Sequence, residues 1–180
     1  MLKPCRARGL APGFTLIEMM IVLTVTGILL VLGVPALRGV IENTRIRANS
    51  ESIKYGIDLA RNDAVRLNTQ VEFASTATGW EVRRVATGEV LHSGTGREAS
   101  DLVTLTITPN GADRVTFDAF GHTVATNPSD GSVPLTDVDV ESVTPPTASG
   151  YRPMRVQVLP GGVSRLCDPA VDATDPRACL

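Results

Sequence analysis

Two hydrophobic rhythms divide the chain. From Phe14 to Leu37 the residues are apolar or small, and Glu18 is the only charge among them. At about 1.5 Å rise per residue, a helix of this length crosses a hydrocarbon core of about 30 Å. A secretory signal core is shorter, about 7 to 15 residues, so the run reads as an anchor. Beyond it the helical period continues with polar relief. Ile46, Ile53, Ile57, Ala60, Ala64 and Leu67 recur mostly at three- and four-residue steps, while Arg45, Arg47, Glu51, Lys54, Asp58, Arg61 and Arg66 take mostly other faces. Residues 38–68 therefore form a predicted amphipathic helix that packs on a head. Gly27, Gly33 and Pro35 interrupt the pattern. Pro35 lacks an amide donor and crowds the turn before it, so a helix break is expected there, either a functional kink or one that lipid and neighbouring helices tolerate.

After Asn68 the period shortens. Val71–Ala74, Trp80–Val85, Glu89–Ser93, Leu102–Thr108, Val115–Phe117 and Met154–Leu159 read as strands, most clearly where Val103, Leu105 and Ile107 alternate with Thr104, Thr106 and Thr108. Thr87-Gly88, Asn110-Gly111, Phe120-Gly121 and Pro160-Gly161-Gly162 mark turns. Asn127–Pro153 carries five prolines and only a short Val138-Val140-Val143 alternation, so it is expected to be a loop or insertion. The predicted class is α+β: a long N-terminal helix, half transmembrane and half amphipathic, on a mainly antiparallel β head spanning residues 69–180.

Composition adds orientation and compartment. With the apolar segment set aside, 180 residues leave room for one modest soluble domain. Lys3, Arg6 and Arg8 precede the apolar run without an acid, so the N-terminus is expected in the cytoplasm and the head outside. Loss of the first 13 residues, with those three basic groups, would take the formal charge from −2 to −5. An acidic average argues against general nucleic-acid affinity. Cys5 lies in the basic leader; Cys167 and Cys179 lie near the C-terminus. In an oxidising compartment that pair is expected as a disulfide, which would stabilise by roughly 3 kcal/mol through the unfolded chain; two free buried thiols are the alternative. Neither His92 nor His122 is near them in sequence, so no metal site and no cofactor are expected.

Glu18 is the anomaly. A lone carboxylate deep in a bilayer costs roughly 2.5 to 3.5 kcal/mol on insertion scales, part of which a cationic partner would offset. On residue chemistry alone it either has such a partner, snorkels to the interface, or is protonated.

The stretch Gly13-Phe14-Thr15-Leu16-Ile17-Glu18, after a short basic leader and before an apolar helix, resembles the processing site of type IV prepilins and type II secretion pseudopilins. The resemblance implies that residues 1–13 are a leader, that a prepilin peptidase cuts between Gly13 and Phe14 and methylates the Phe14 amine, and that Glu18 pairs with that amine on a neighbouring subunit. Residues 14–37 would be both membrane anchor and polymer core. Ala60-Arg61-Asn62-Asp63-Ala64 resembles the "A-R-[SN]-[ED]-A" segment of the GspH and FimT/FimU group of minor pilins and pseudopilins. Gly79-Trp80-Glu81-Val82, Phe117 with Gly121, and the tail around Cys167 and Cys179 resemble the same group. The resemblance implies a pilin-like head of two small sheets on the long helix, single-pass in the inner membrane, with the head periplasmic and placed at a filament tip. It implies other major and minor pilins, the inner-membrane assembly platform and the lipid bilayer as partners.

The first functional expectation is thus a non-catalytic minor pilin or pseudopilin of a type IV pilus or a type II secretion system. The alternative is a DNA-binding minor pilin for natural transformation. Some FimT-like proteins use a "G-R-x-R" tail; here the positions read Gly162-Val163-Ser164-Arg165, so Val163 replaces one arginine. Arg152, Arg155, Arg165 and Arg177 are dispersed, and only weak DNA contact, through Arg165 and Arg177, is expected. An enzyme has no support: His92 and His122 each stand apart, and no nucleophile elbow or phosphate loop occurs. Trp80 reads as a packing residue and Ala60, Ala64 and Leu67 as helix–sheet core.

Overall fold

The computed structural model describes residues 13–95, 103–143 and 151–179, without the side chains of 32–38 and Thr95. Helix α1 runs Leu16–Leu67. It is followed by β1 (Val71–Ser75), β2 (Gly79–Arg84), β3 (Val90–Thr95), β4 (Val103–Thr108), β5 (Arg114–Phe117), β6 (Asp137–Ser142), β7 (Met154–Val158) and β8 (Ser164–Cys167). The chain divides into two compact units, one ending at Arg38 and one starting at Gly39.

In the first unit the helical assignment continues through Gly33 and Pro35; the side chains at the expected helix break lie outside the described residues. Among the described residues no helix is long and apolar enough to cross a membrane. The expected span, residues 14–37, ends on positions whose side chains are outside that description.

The second unit begins with the rest of α1. Ile46, Ile53, Ile57, Ala60 and Ala64 are buried and join Val71, Phe73, Trp80, Val82, Val115 and Phe117 in one core. Leu67 is only half-buried. The helix stops in a Schellman arrangement: Asn68 takes φ 50°, the Thr69 amide donates to the Ala64 carbonyl, and the Asn68 amide to that of Val65. Asparagine tolerates this left-handed turn better than most residues, which explains why the helical period ends there.

The head is two four-stranded antiparallel sheets, ordered β3-β2-β1-β5 and β4-β6-β7-β8. The second sheet corrects the expectation for Asn127–Pro153. Its middle is strand β6, with Val138 and Val140 inward and Asp137 and Asp139 half-buried. Asp139 is held by Arg155 of β7 at 2.6 and 2.9 Å. Two valines and a cross-strand ion pair suffice for a strand, and the flanking prolines mark only its ends. The four-residue β8, also unforeseen, pairs with β7 through Cys167↔Arg155.

The ends of the two sheets meet at two turns. Gly162, after β7, lies against the Gly121 carbonyl, after β5, so closely that a Cβ on Gly162 would overlap that oxygen. Arg61 of α1 donates to the same carbonyl at 3.1 Å. Thr123 donates from its hydroxyl to the Pro160 carbonyl at 3.0 Å. Helix and both sheets are thus fastened at one junction.

Candidate functional site

The expected processing and assembly residues open α1. A side chain built on Gly13 would meet nothing within 4 Å, and Phe14 is 82% exposed, so among the described residues nothing packs on the Gly13–Phe14 peptide. Thr15 precedes the first helical residue. Its hydroxyl accepts the Glu18 amide at 3.2 Å, and the Glu18 carboxylate reaches back to the Thr15 amide at 3.5 Å. This is a capping box, which satisfies two amides that a helix start leaves without partners. The Thr-x-x-Glu spacing before an apolar run is its sequence signal, which attention to the charge of Glu18 alone passes over. Further along, Thr24 returns its hydroxyl to the carbonyls of Met20 and Ile21. That satisfies the Thr24 hydroxyl on an otherwise apolar face. Leu16, Ile17, Leu23, Leu29 and Val31 are exposed. Among the described residues nothing covers them.

The head motifs do structural work. Arg61 binds the Gly121 carbonyl, as described above, linking the "A-R-N-D-A" segment to the glycine after Phe117. Asp63 is buried; its Oδ2 lies 2.9 Å from His92 Nε2 and its Oδ1 accepts Arg66 at 2.9 Å. This corrects the reading of His92 as standing apart: the fold brings β3 onto the helix face that carries Asp63. His122 lies 3.9 Å from Asp118. Trp80 is buried and donates its indole N–H to Ser52 at 3.1 Å. Its ring fits against two glycines, since a Cβ on Gly56 would come within 2.8 Å of the Trp80 and Phe73 rings and one on Gly94 would also strike the indole. Trp80 is therefore core.

A buried acid was missed. Glu72, central in β1, is 0% exposed, although a Val-Glu-Phe strand reads as inward-outward-inward. Arg114 and Arg83 approach its Oε1 at 3.5 and 3.9 Å, and the Ser129 hydroxyl donates to Oε2. The loop 127–132 covers this outer face, held by Asn127, which donates to the Arg114 carbonyl and accepts from Thr116. The cross-strand pairing Glu72↔Arg83 is the only local hint. Ion-paired burial of this kind fixes the loop on the sheet.

At the C-terminus Cys167 and Cys179 form a disulfide with Cα atoms 5.1 Å apart. Arg165 donates to Gln157 Oε1 at 3.1 Å and to the Ala178 carbonyl at 2.8 Å. Arg177 grips both oxygens of Asp175, and this bond holds the Asp175 carboxyl down at about 2. Arg155 is taken by Asp139. The arginines expected to touch DNA are thus engaged inside the head.

Comparison with known proteins agrees with this architecture. Among solved structures, the type IV minor pilin FimU of Pseudomonas aeruginosa strain PAO1 is 16% identical, over 77% of this chain and 98% of that one, with a TM-score of 0.52. The solution structure of E. coli GspH is 15% identical, over 74% and 94%, with a TM-score of 0.44. No curated protein sequence matches. The profile of the prokaryotic N-terminal methylation motif matches residues 11–34. The family and fold are those of pilin and pseudopilin structural subunits, not of enzymes. Since the profile of type II transport protein GspH matches residues 49–162, more than half of its length, the chain belongs to the GspH family of minor pilins and pseudopilins.

Proposed function

We propose that this chain is a membrane-anchored minor subunit of a type IV pilus or a type II secretion pseudopilus, cut between Gly13 and Phe14 by a prepilin peptidase and methylated on Phe14. The observation that carries the reading is the order of the two matches: a methylation motif at residues 11–34 directly ahead of a GspH head at 49–162. Residues 14–37 hold the subunit in the inner membrane, leader side in the cytoplasm and head in the periplasm. Extraction then transfers their exposed apolar surface from lipid to neighbouring subunits, at the filament tip, through the assembly platform. Pro35 marks where the helix gives way during that transfer, because its missing amide weakens the ladder.

Glu18 has two uses in this scheme. Before cleavage it caps its own helix. After cleavage the Phe14 amine becomes a cation one residue before the capped amide, and the carboxylate pairs with that of the neighbour already in the filament. In a low-dielectric surround such pairing offsets the cost of both charges. The test is mass spectrometry of membrane-extracted protein with Glu18→Ala alongside. The expected N-terminus is methylated Phe14 in both, with filament incorporation lost only in the variant. An intact leader in the wild type would sink the processing step, and normal incorporation of Glu18→Ala would sink the pairing. Copurified partners discriminate pilus from secretion machinery. The DNA-binding alternative draws no support from Arg165 and Arg177, whose donors are occupied within the head. A salt-sensitive submicromolar affinity abolished by Arg165→Ala would restore it.

A further inference from the structure

The head has a concave site that its own packing leaves unfilled. A groove of about 560 Å³ runs between the Val40–Arg47 stretch of α1 and the end of the β7–β8 hairpin with its disulfide loop. Val40, Met154, Leu166, Cys167 and Pro176 give it an apolar lining. Three arginines, Arg47, Arg152 and Arg177, stand on its walls, with Asp168 as the single acid among the lining residues.

Their bonding separates the three. Arg47 donates to Glu51 at 2.8 Å and Arg177 is gripped by Asp175. Asp168 accepts the Ala170 amide, so its carboxylate closes a local turn. Arg152 is anchored only by its backbone, whose amide donates to Asn43 Oδ1 at 3.1 Å. Among the described residues its guanidinium has no hydrogen bond or ion pair. Asp175, already gripped by Arg177, lies within electrostatic reach of Arg152 but is not bonded to it. A fixed backbone, a guanidinium with no bonded acid among the described residues, and an apolar lining form a receptor for a carboxylate flanked by apolar side chains.

We propose that this groove receives an acidic, apolar-flanked segment of a neighbouring pilin-family subunit, with Arg152 taking its carboxylate; the inference rests on the assembly role proposed above. Charge complementarity favours a peptide acid over nucleic acid. Among the described residues only one of the three guanidiniums has no bonded acid, whereas a phosphate backbone needs several along a track. The volume falls in the range of small-ligand pockets, about 300 to 1,000 Å³, which suits a few side chains. The helix wall of the groove follows directly in sequence on the apolar segment, the stretch that meets other subunits in this scheme.

The test is photo-crosslinking of the full chain in its native cell, with a benzophenone amino acid at Thr44 on the groove wall and, as a control, at exposed Val133. The Thr44 probe should give an adduct that mass spectrometry maps to an Asp- or Glu-containing segment of a pilin-family subunit. Arg152→Glu should lower its yield about tenfold and Arg152→Lys much less, by like-charge repulsion in the first case only. Because the Arg152 guanidinium makes no hydrogen bond or ion pair among the described residues, Trp80 fluorescence should be unchanged in both variants. Adducts solely with lipid or nucleic acid, adducts with a segment lacking an acid, no adduct, or a yield indifferent to Arg152→Glu would each overturn the groove assignment. Filament incorporation of the same chains keeps the two readings apart. Incorporation without the groove adduct refutes the groove alone, and absence of the wild-type chain from any pilin-family assembly refutes both.

Discussion

Gly162→Ala probes the junction that fastens α1 to both sheets, and its effect separates into two parts. Gly162 has φ +77°, where an alanine costs about 1–2 kcal/mol of backbone strain. Gly131 has nearly the same φ, +75°, but a Cβ there meets nothing within 4 Å, so Gly131→Ala isolates the strain. At Gly162 the Cβ also overlaps the Gly121 carbonyl oxygen, and the two turns must separate to admit it. That movement strains the Arg61 bond to the same oxygen, 3.1 Å long, and the Thr123–Pro160 contacts. A hydrogen bond to a charged group contributes about 1.5–3 kcal/mol. The sum is about 2.5–5 kcal/mol for Gly162→Ala against about 1–2 kcal/mol for Gly131→Ala. Trp80, the only tryptophan in the chain, reports unfolding. Urea titrations of the full chain in detergent should show the two midpoints well apart at similar slopes. Equal midpoints would refute the close approach of the two glycines.

Three further outcomes follow from the packing. Cys179→Ser should destabilise by roughly 3 kcal/mol, since the bridge spans 12 residues, and amide exchange should rise first at 168–179; unchanged exchange there would show the tail is held without the bridge. Asp175 should titrate near 2 by NMR, and Arg177→Ala should return it toward 3.8. Because the folded value is depressed, the pair's contribution is complete above about pH 4 and is lost as pH falls toward 2; an unmoved midpoint in Arg177→Ala would contradict the pairing. Ile57→Ala, fully buried where α1 meets the sheet, should cost about 2–5 kcal/mol and the exposed Tyr55→Ala far less, by the same urea assay; comparable losses would mean the wrong face is buried.

The helix was legible because its apolar stripe is long and periodic: Ile46 through Ala64 are buried where the spacing puts them. Strands with clean alternation, such as Val103–Thr108, were legible for the same reason. Strand β6 was not, since Val138 and Val140 sit among prolines and glycines and are fixed by neighbours 14 to 35 residues away. The N-terminal methylation motif was readable as a contiguous stretch, whereas the capping role of Thr15 needed attention to spacing rather than charge. Glu72 and the Asp63–His92 contact lay beyond local reading. Both depend on which loop or edge strand the fold lays over a given face, and no window of sequence holds that information.

The junction of Arg61, Gly121 and Gly162 has a consequence for biosynthesis. Arg61 closes on a carbonyl 60 residues later, and Asp58 accepts the Ser164 hydroxyl 106 residues on. If the chain is exported from its N-terminal end, the amphipathic helix emerges first and waits with Ile53 and Ile57 uncovered until nearly the last strand has followed. Contacts of such separation form slowly and leave apolar surface open meanwhile. The head is therefore a late-maturing part, and under the proposed function an anchor that holds the waiting helix at the membrane would keep it away from other unfinished copies.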